Sequence, residues 1–146
     1  MVLFNLNKMS IKKSRGFTII ELLVVVAIIA VLAAIVLVNV TSYINKGKNA
    51  SIKGNLATTL INSAVYYDSN GSYTNFCTNV GYTNPASAIT AAGGTPLCNV
   101  NTGGTAMCAC STQVGSSNTF CVDSTGAKKE TATACATECP VAAVCQ

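Results

Sequence analysis

From Phe17 to Val38 the chain is apolar at every position except Thr18 and Glu21. A helix of that length rises roughly 33 Å, enough to cross a hydrocarbon core of about 30 Å, so the pattern predicts a membrane span. Beyond it the pattern turns amphipathic, with no breaker until Asn70-Gly71. Tyr43, Gly47, Ala50, Gly54, Ala57, Ile61 and Ala64 recur at helical spacing, and Leu56, Leu60 and Tyr67 form a second apolar row beside them. The helix is therefore expected to continue to about Asp68, on the order of 78 Å in all. Gly47 and Gly54 each cost about 1 kcal/mol against Ala, which makes that section the place for a bend. The small residues of the first row either let a neighbouring helix approach or mark a solvated face. Asp68-Ser69-Asn70-Gly71-Ser72 then stops the helix, because Asn-Gly accepts positive φ. The same run is similar to the start of a calcium loop, but the twelfth position counted from Asp68 is Asn79, where a bidentate Glu is needed, so a turn is the preferred reading.

From Phe76 onward Asn, Thr, Ser and Gly dominate, with turns marked at Asn84-Pro85, Gly93-Gly94, Gly103-Gly104, Gly115-Ser116 and Thr125-Gly126. Short strands are expected at Thr105 to Ser111, Thr119 to Asp123 and Lys128 to Ala134, the last two pairing as a hairpin. Ala86 to Ala92 reads as a short helix or a covering loop. The fold class is α+β: a long N-terminal α-helix, half transmembrane and half amphipathic, carrying a small, mainly β, disulfide-rich head. The expected divisions are 1–16 (leader), 17–38 (span), 39–70 (amphipathic continuation) and 71–146 (head).

Charge changes the picture only at the N-terminus. The formal net charge is +4, yet Lys8, Lys12, Lys13 and Arg15 all precede Phe17, and the chain after Gly16 carries five cations and five acids. The excess belongs to the leader and does not argue for nucleic-acid binding. Lys12, Lys13 and Arg15 packed before the apolar run favour a cytoplasmic N-terminus, which places the residues after about Val38 outside.

All eight cysteines (Cys77, Cys98, Cys108, Cys110, Cys121, Cys135, Cys139 and Cys145) lie on that outer side. An even number in a head with few large apolar residues reads as disulfides, each worth about 2–4 kcal/mol. Cys108-Ala-Cys110 and Cys135-x3-Cys139 have ligand-like spacings, but with no His and an oxidising compartment a metal site is the weaker reading. In a strand Cys108 and Cys110 point to one face and do not bond each other; Cys121 is a natural partner for one of them. Catalysis finds no parts: there is no His, the five acids are scattered, and no phosphate loop follows a strand. No cofactor is expected.

An ionised Glu21 on a membrane span needs a partner, and by default it is functional. A signal anchor alone would explain the cations and the apolar run but would not require the carboxylate. Lys12-Lys13-Ser14-Arg15-Gly16-Phe17-Thr18-Ile19-Ile20-Glu21-Leu22-Leu23 and the apolar run to Ala34 closely resemble the class III signal of type IV pilins and pseudopilins. Tyr66-Tyr67-Asp68-Ser69-Asn70-Gly71-Ser72-Tyr73 also resembles the helix exit of that family, where tyrosines pack the head onto the helix. The helix-weakening Gly and Pro usual in the family fall here at Ala30 and Val38.

The resemblance implies cleavage after Gly16 by a prepilin peptidase and N-methylation of Phe17. It further implies polymerisation of the apolar helices into a filament, with Glu21 meeting the Phe17 amine of an adjacent subunit. Its implied partners are other copies of the chain, the peptidase, the membrane, and an assembly platform with its motor. The expected location is the cytoplasmic membrane as a single-pass precursor and a surface filament as the mature form. A surface pilus subunit is favoured over a pseudopilin of type II secretion or DNA uptake, because a polar, cross-linked head suits exposure. A signal-anchored, disulfide-rich binding module that never polymerises is the alternative from another class. N-terminal sequencing of the surface protein separates them: the account expects a start at methylated Phe17, and a start at Met1 or near Thr41 would contradict it.

Overall fold

The structure is a computed structural model that describes residues 16–140 and 142–146. Its elements are α1 (Ile19–Asn70), a 3-10 turn (Phe76–Thr78), α2 (Val80–Ala92), β1 (Pro96–Val100), β2 (Met107–Thr112), β3 (Thr119–Asp123), β4 (Lys128–Thr131) and α3 (Cys135–Glu138). The chain divides into two compact units, residues 1–38 and 39–146. In the first, residues 16–37 are all exposed. This part of α1 belongs to the one described helix long and apolar enough to cross a membrane.

The second unit is built on the C-terminal part of α1, and the buried face there is not the row of small residues. Tyr43 and Ile61 are 71% and 66% exposed, and Gly47, Ala50, Gly54 and Ala64 share that exposed side. Ile52, Leu56, Thr59 and Ser63 are buried instead, with Leu60 and Tyr66 packed against the core they enter. Two of those four are hydroxyl residues, which hid the stripe. Thr59 Oγ1 donates to Asn55 O at 3.0 Å and Ser63 Oγ to Leu60 O at 2.7 Å, so each enters the core with its polar group already bonded within the helix.

The sheet is an antiparallel meander in the order β1-β2-β3-β4. Its inner face sends Met107, Ala109 and Val122 into a core with Ile52, Leu56, Tyr73, Phe76 and Ile89. β3 has the expected bounds and pairs with β4 as a hairpin, Val122 opposite Lys128. β2 starts two residues later than expected, because Asn101 Oδ1 accepts from Thr105 N and Ala106 N and holds that stretch as a turn. β4 ends at Thr131 rather than Ala134, where Thr131 Oγ1 accepts from Thr133 N and turns the chain away. β1 escaped the strand pattern because Pro96 opens it, a position that Pro tolerates on an edge strand.

The expected turn at Asn84-Pro85 lies inside α2. Pro85 has no N–H for the carbonyl four residues back, and that carbonyl, Gly81 O, accepts from Asn62 Nδ2 of α1 at 2.8 Å. A bond across the helix pair replaces the lost one. The tyrosines behave as the helix-exit resemblance implied: the Tyr66 ring lies 5.4 Å from Phe76, the Tyr67 ring 4.7 Å from Tyr73, and Tyr66 OH donates to Thr74 O at 2.7 Å.

These elements close around Gly94, where an added Cβ would lie 2.6 Å from Ser111 Oγ, 2.9 Å from Ile89 Cγ2 and 3.0 Å from Ile52 Cδ1. Gly94→Ala should therefore destabilise the oxidised protein by about 1–3 kcal/mol in denaturant unfolding. Gly47→Ala, on the open side of the helix, should be neutral or gain up to about 1 kcal/mol. Equal effects at the two sites would contradict the packing.

Candidate functional site

Gly16 and Phe17 are exposed residues just ahead of α1, with Phe17 79% exposed; Lys12, Lys13 and Arg15 lie outside the described residues. Glu21 sits in the first turn of α1 and closes a reciprocal pair with Thr18. Thr18 N and Thr18 Oγ1 donate to Glu21 Oε2 at 2.9 and 2.7 Å, and Glu21 N donates to Thr18 Oγ1 at 3.3 Å. Leu22 N reaches Thr18 O at 3.2 Å, so helical bonding begins there. This is a capping box, and its Thr-x-x-Glu spacing ahead of an apolar run was readable in the sequence. Thr18 is the residue that sequence reasoning passed over. The carboxylate accepts from the Thr18 N–H and the Thr18 hydroxyl accepts from the Glu21 N–H, two backbone donors that lipid could not satisfy, and the carboxylate is held beside the residue that would carry a new amine after cleavage at Gly16.

The eight cysteines form four disulfides. Cys77–Cys98 ties the 3-10 turn to β1, Cys108–Cys139 and Cys110–Cys135 tie β2 to α3, and Cys121–Cys145 ties β3 to the C-terminus. The two middle bridges match in geometry. Two residues along a strand advance about 6.8 Å and four along a helical turn about 6 Å, so Cys-x-Cys on β2 faces Cys-x3-Cys around α3.

The expected bond from Cys121 to Cys108 or Cys110 does not form. Cys121 stands opposite Cys110 in the sheet register and its Sγ is 3.4 Å from Cys108 Sγ, but Cys108, Cys110 and Cys121 share the face that the C-terminal segment covers, and each bonds to that cover. The sulfurs of Cys108, Cys121 and Cys145 lie within 4.8 Å of one another, all in disulfides and so without the thiolate a metal would need.

Asp123, at the end of β3, is buried and organises both the hairpin turn and the tail. Its Oδ1 accepts from Thr125 N, Thr125 Oγ1 and Ala127 N at 2.9, 2.6 and 3.3 Å, and Oδ2 accepts from Cys145 N at 2.8 Å. Burial pushes the carboxyl up, but the donations from Thr125, Cys145 and Ala127 outweigh it and hold it below the usual carboxylate range. Across the sheet, Lys53 Nζ of α1 meets Glu130 Oε2 at 2.5 Å, and Gln113 Nε2 donates to Glu130 Oε1 at 2.7 Å. These bonds from Lys53 and Gln113 lower the Glu130 carboxyl.

Residues 11–37 match the family described as the prokaryotic N-terminal methylation motif. The chain is 34% identical over 70 residues to the type IV major pilin protein PilA of Myxococcus xanthus (strain DK1622), a match covering 48% of this chain and 32% of that protein. It is 43% identical over 54 residues to the type IV major alpha-pilin of Moraxella bovis, covering 36% of this chain and 34% of that one. The matched part thus spans about a third of the length of each of these curated relatives. No solved structure matches the chain.

Because the folded Asp123 carboxyl is depressed, its stabilisation is fully present above the unfolded value of about 3.9 and is lost as pH falls through the lower folded value. Unfolding free energy of the oxidised protein should fall from about pH 5 downward, and Asp123→Ala should flatten that slope while lowering stability at neutral pH. An unchanged acid slope in the variant would contradict the assignment.

Proposed function

We propose that this chain, a type IV pilin-family protein by its methylation motif and its pilin relatives, is the precursor of a subunit of an extracellular pilus-like filament. The observation that carries the reading is the carboxylate of Glu21, held in the first turn of an exposed apolar helix five residues after Gly16. Cleavage after Gly16 by a prepilin peptidase frees the Phe17 amine, which is then methylated. The apolar stretch waits in the membrane, and the assembly platform and motor lift it into a core of like helices that covers what lipid had covered. Glu21 docks there against the Phe17 amine of an adjacent subunit. The leader cations Lys12, Lys13 and Arg15 hold the N-terminus on the cytoplasmic side until cleavage. The role is structural, with no reaction performed by the subunit.

Two features favour a surface pilus over the pseudopilin alternatives. The head is polar and closed by four disulfides, suited to an oxidising exterior, and both relatives are named as major pilins.

Variants at the capping box separate docking from helix initiation. Glu21→Ala should be inserted and cleaved normally, yet filaments should be lost while mature subunit accumulates in the membrane, because the Phe17 amine is left unpaired in a water-poor core. Glu21→Asp, one methylene shorter, should give an intermediate yield. Thr18→Val removes the hydroxyl but leaves the carboxylate, and filaments should persist. If Thr18→Val abolishes filaments as fully as Glu21→Ala, Glu21 acts only as a helix cap; if Glu21→Ala cells make filaments in normal number, the docking role is wrong.

A further inference from the structure

The triplet Asn-x-Ser/Thr, the acceptor pattern for N-linked saccharides on exported proteins, occurs three times, at Asn39-Val40-Thr41, Asn49-Ala50-Ser51 and Asn70-Gly71-Ser72. In a chain rich in Asn, Ser and Thr such triplets arise by chance, so the fold must choose. Asn39 is interior to α1 and directly follows the apolar run, close to where a bilayer surface would lie. Asn49 is half-buried and uses both ends of its amide on β2's exit: Nδ2 donates to Val114 O at 3.1 Å and Oδ1 accepts from Val114 N at 2.7 Å. A saccharide there would break the seam between α1 and the sheet.

Asn70 differs in each respect. It is exposed, it is the last residue of α1, and Gly71 follows at φ 67°, so the chain leaves the helix at the acceptor itself. Its Nδ2 donates to Tyr66 O at 2.8 Å. An N-linked side chain keeps one hydrogen on Nδ2, so that bond can survive attachment.

A second observation stands beside it. Asn70 is at the edge of a groove of about 450 Å³, within the size range of small-ligand sites, lined also by Asn62, Tyr66, Asn79 and the exposed Val65 and Val80. None of the lining residues is charged. Asn62 spends Nδ2 on Gly81 O and Asn79 spends Oδ1 on Gly81 N, which leaves Asn62 an acceptor and Asn79 a donor for the groove. Neutral amides beside small apolar patches suit a sugar ring, with its hydroxyl groups and its apolar C–H faces.

We propose that Asn70 is an N-glycosylation acceptor and that the first sugar lies in this groove. The site rests on the filament reading, which puts residue 70 outside the membrane. The co-reactant is a lipid-diphosphate-linked oligosaccharide, used by a membrane oligosaccharyltransferase. The bond from the sugar's anomeric carbon to the diphosphate oxygen breaks, a bond from that carbon to Asn70 Nδ2 forms, the diphosphate leaves with the electron pair, and one amide proton passes to the enzyme's base. Transfer precedes closure of the head, because Ser72 Oγ and Tyr73 N are later bonded to Gly104 O, 32 residues downstream of Ser72.

The test uses subunits from sheared filaments of the native organism, reduced, alkylated and cut with chymotrypsin after Tyr67 and Tyr73. The peptide Asp68–Tyr73 should carry a saccharide mass that fragmentation places on Asn70. Asn70→Gln and Ser72→Ala should each abolish it, and Ser72→Thr should keep it, in subunits whose disulfides are intact. A bare peptide from a subunit that begins at Phe17 overturns the site and leaves the filament reading standing. A sugar that survives Asn70→Gln on a serine also overturns it. A chain that still begins at Met1 and is unmodified overturns both.

Discussion

A carboxylate on an apolar helix must find hydrogen-bond donors or a cation wherever that helix is placed, and the first turn of α1 meets this demand from within its own chain. Thr18 supplies two donors to Glu21 Oε2, so the chain holds the group in its own capping box. The box satisfies helix N–H groups that hydrocarbon cannot, and it fixes the carboxylate's position relative to Phe17. Local satisfaction suits the helix to a hydrocarbon surrounding. A partner with a full positive charge is a better match than a hydroxyl and an amide, which is the preference that the proposed docking draws on. The cap is the setting that the structure holds, and the proposed dock is a second setting of the same side chain.

The head answers a different constraint. Its core draws on only a handful of large side chains, two of them, Ile52 and Leu56, supplied by α1. What packing does not provide, topology does. Three of the four disulfides join the sheet to the segment from Cys135 to Cys145, and Asp123 adds a bond to the backbone of Cys145 itself. The C-terminal segment is thus a cover held by covalent bonds over one face of the sheet, while α1 and α2 cover the other. That division leaves the row from Tyr43 to Ala64 facing away from the head.

Much of this was legible in the residues. The apolar run, the Asn70-Gly71 stop and the β3–β4 hairpin each follow from a local rule that nothing distant overrides. Failures came where a bond that a hydrophobic pattern does not count settled the matter, whether local or distant. The buried face of α1 includes Thr59 and Ser63, which count as polar until their hydroxyls are seen bonded within the helix. Pro85 reads as a turn until Asn62 is found at the carbonyl it orphans. Disulfide partners depend on which segment covers the sheet, and a spacing rule that compares Cys108-Cys110 only with its neighbour strand points to Cys121. Thr18 is the exception, since its Thr-x-x-Glu spacing is a local signal that depends on no other part of the chain.

The central claim is that Glu21 exchanges a partner within its own chain for one on another subunit. Cryo-electron microscopy of native filaments, at a resolution that separates side chains, tests it most directly. The account predicts the Glu21 carboxylate within about 4 Å of the methylated Phe17 amine of an adjacent subunit, the reach of an ion pair. Filaments in which Glu21 remains bonded to its own Thr18, with the neighbouring amine beyond that reach, would contradict it.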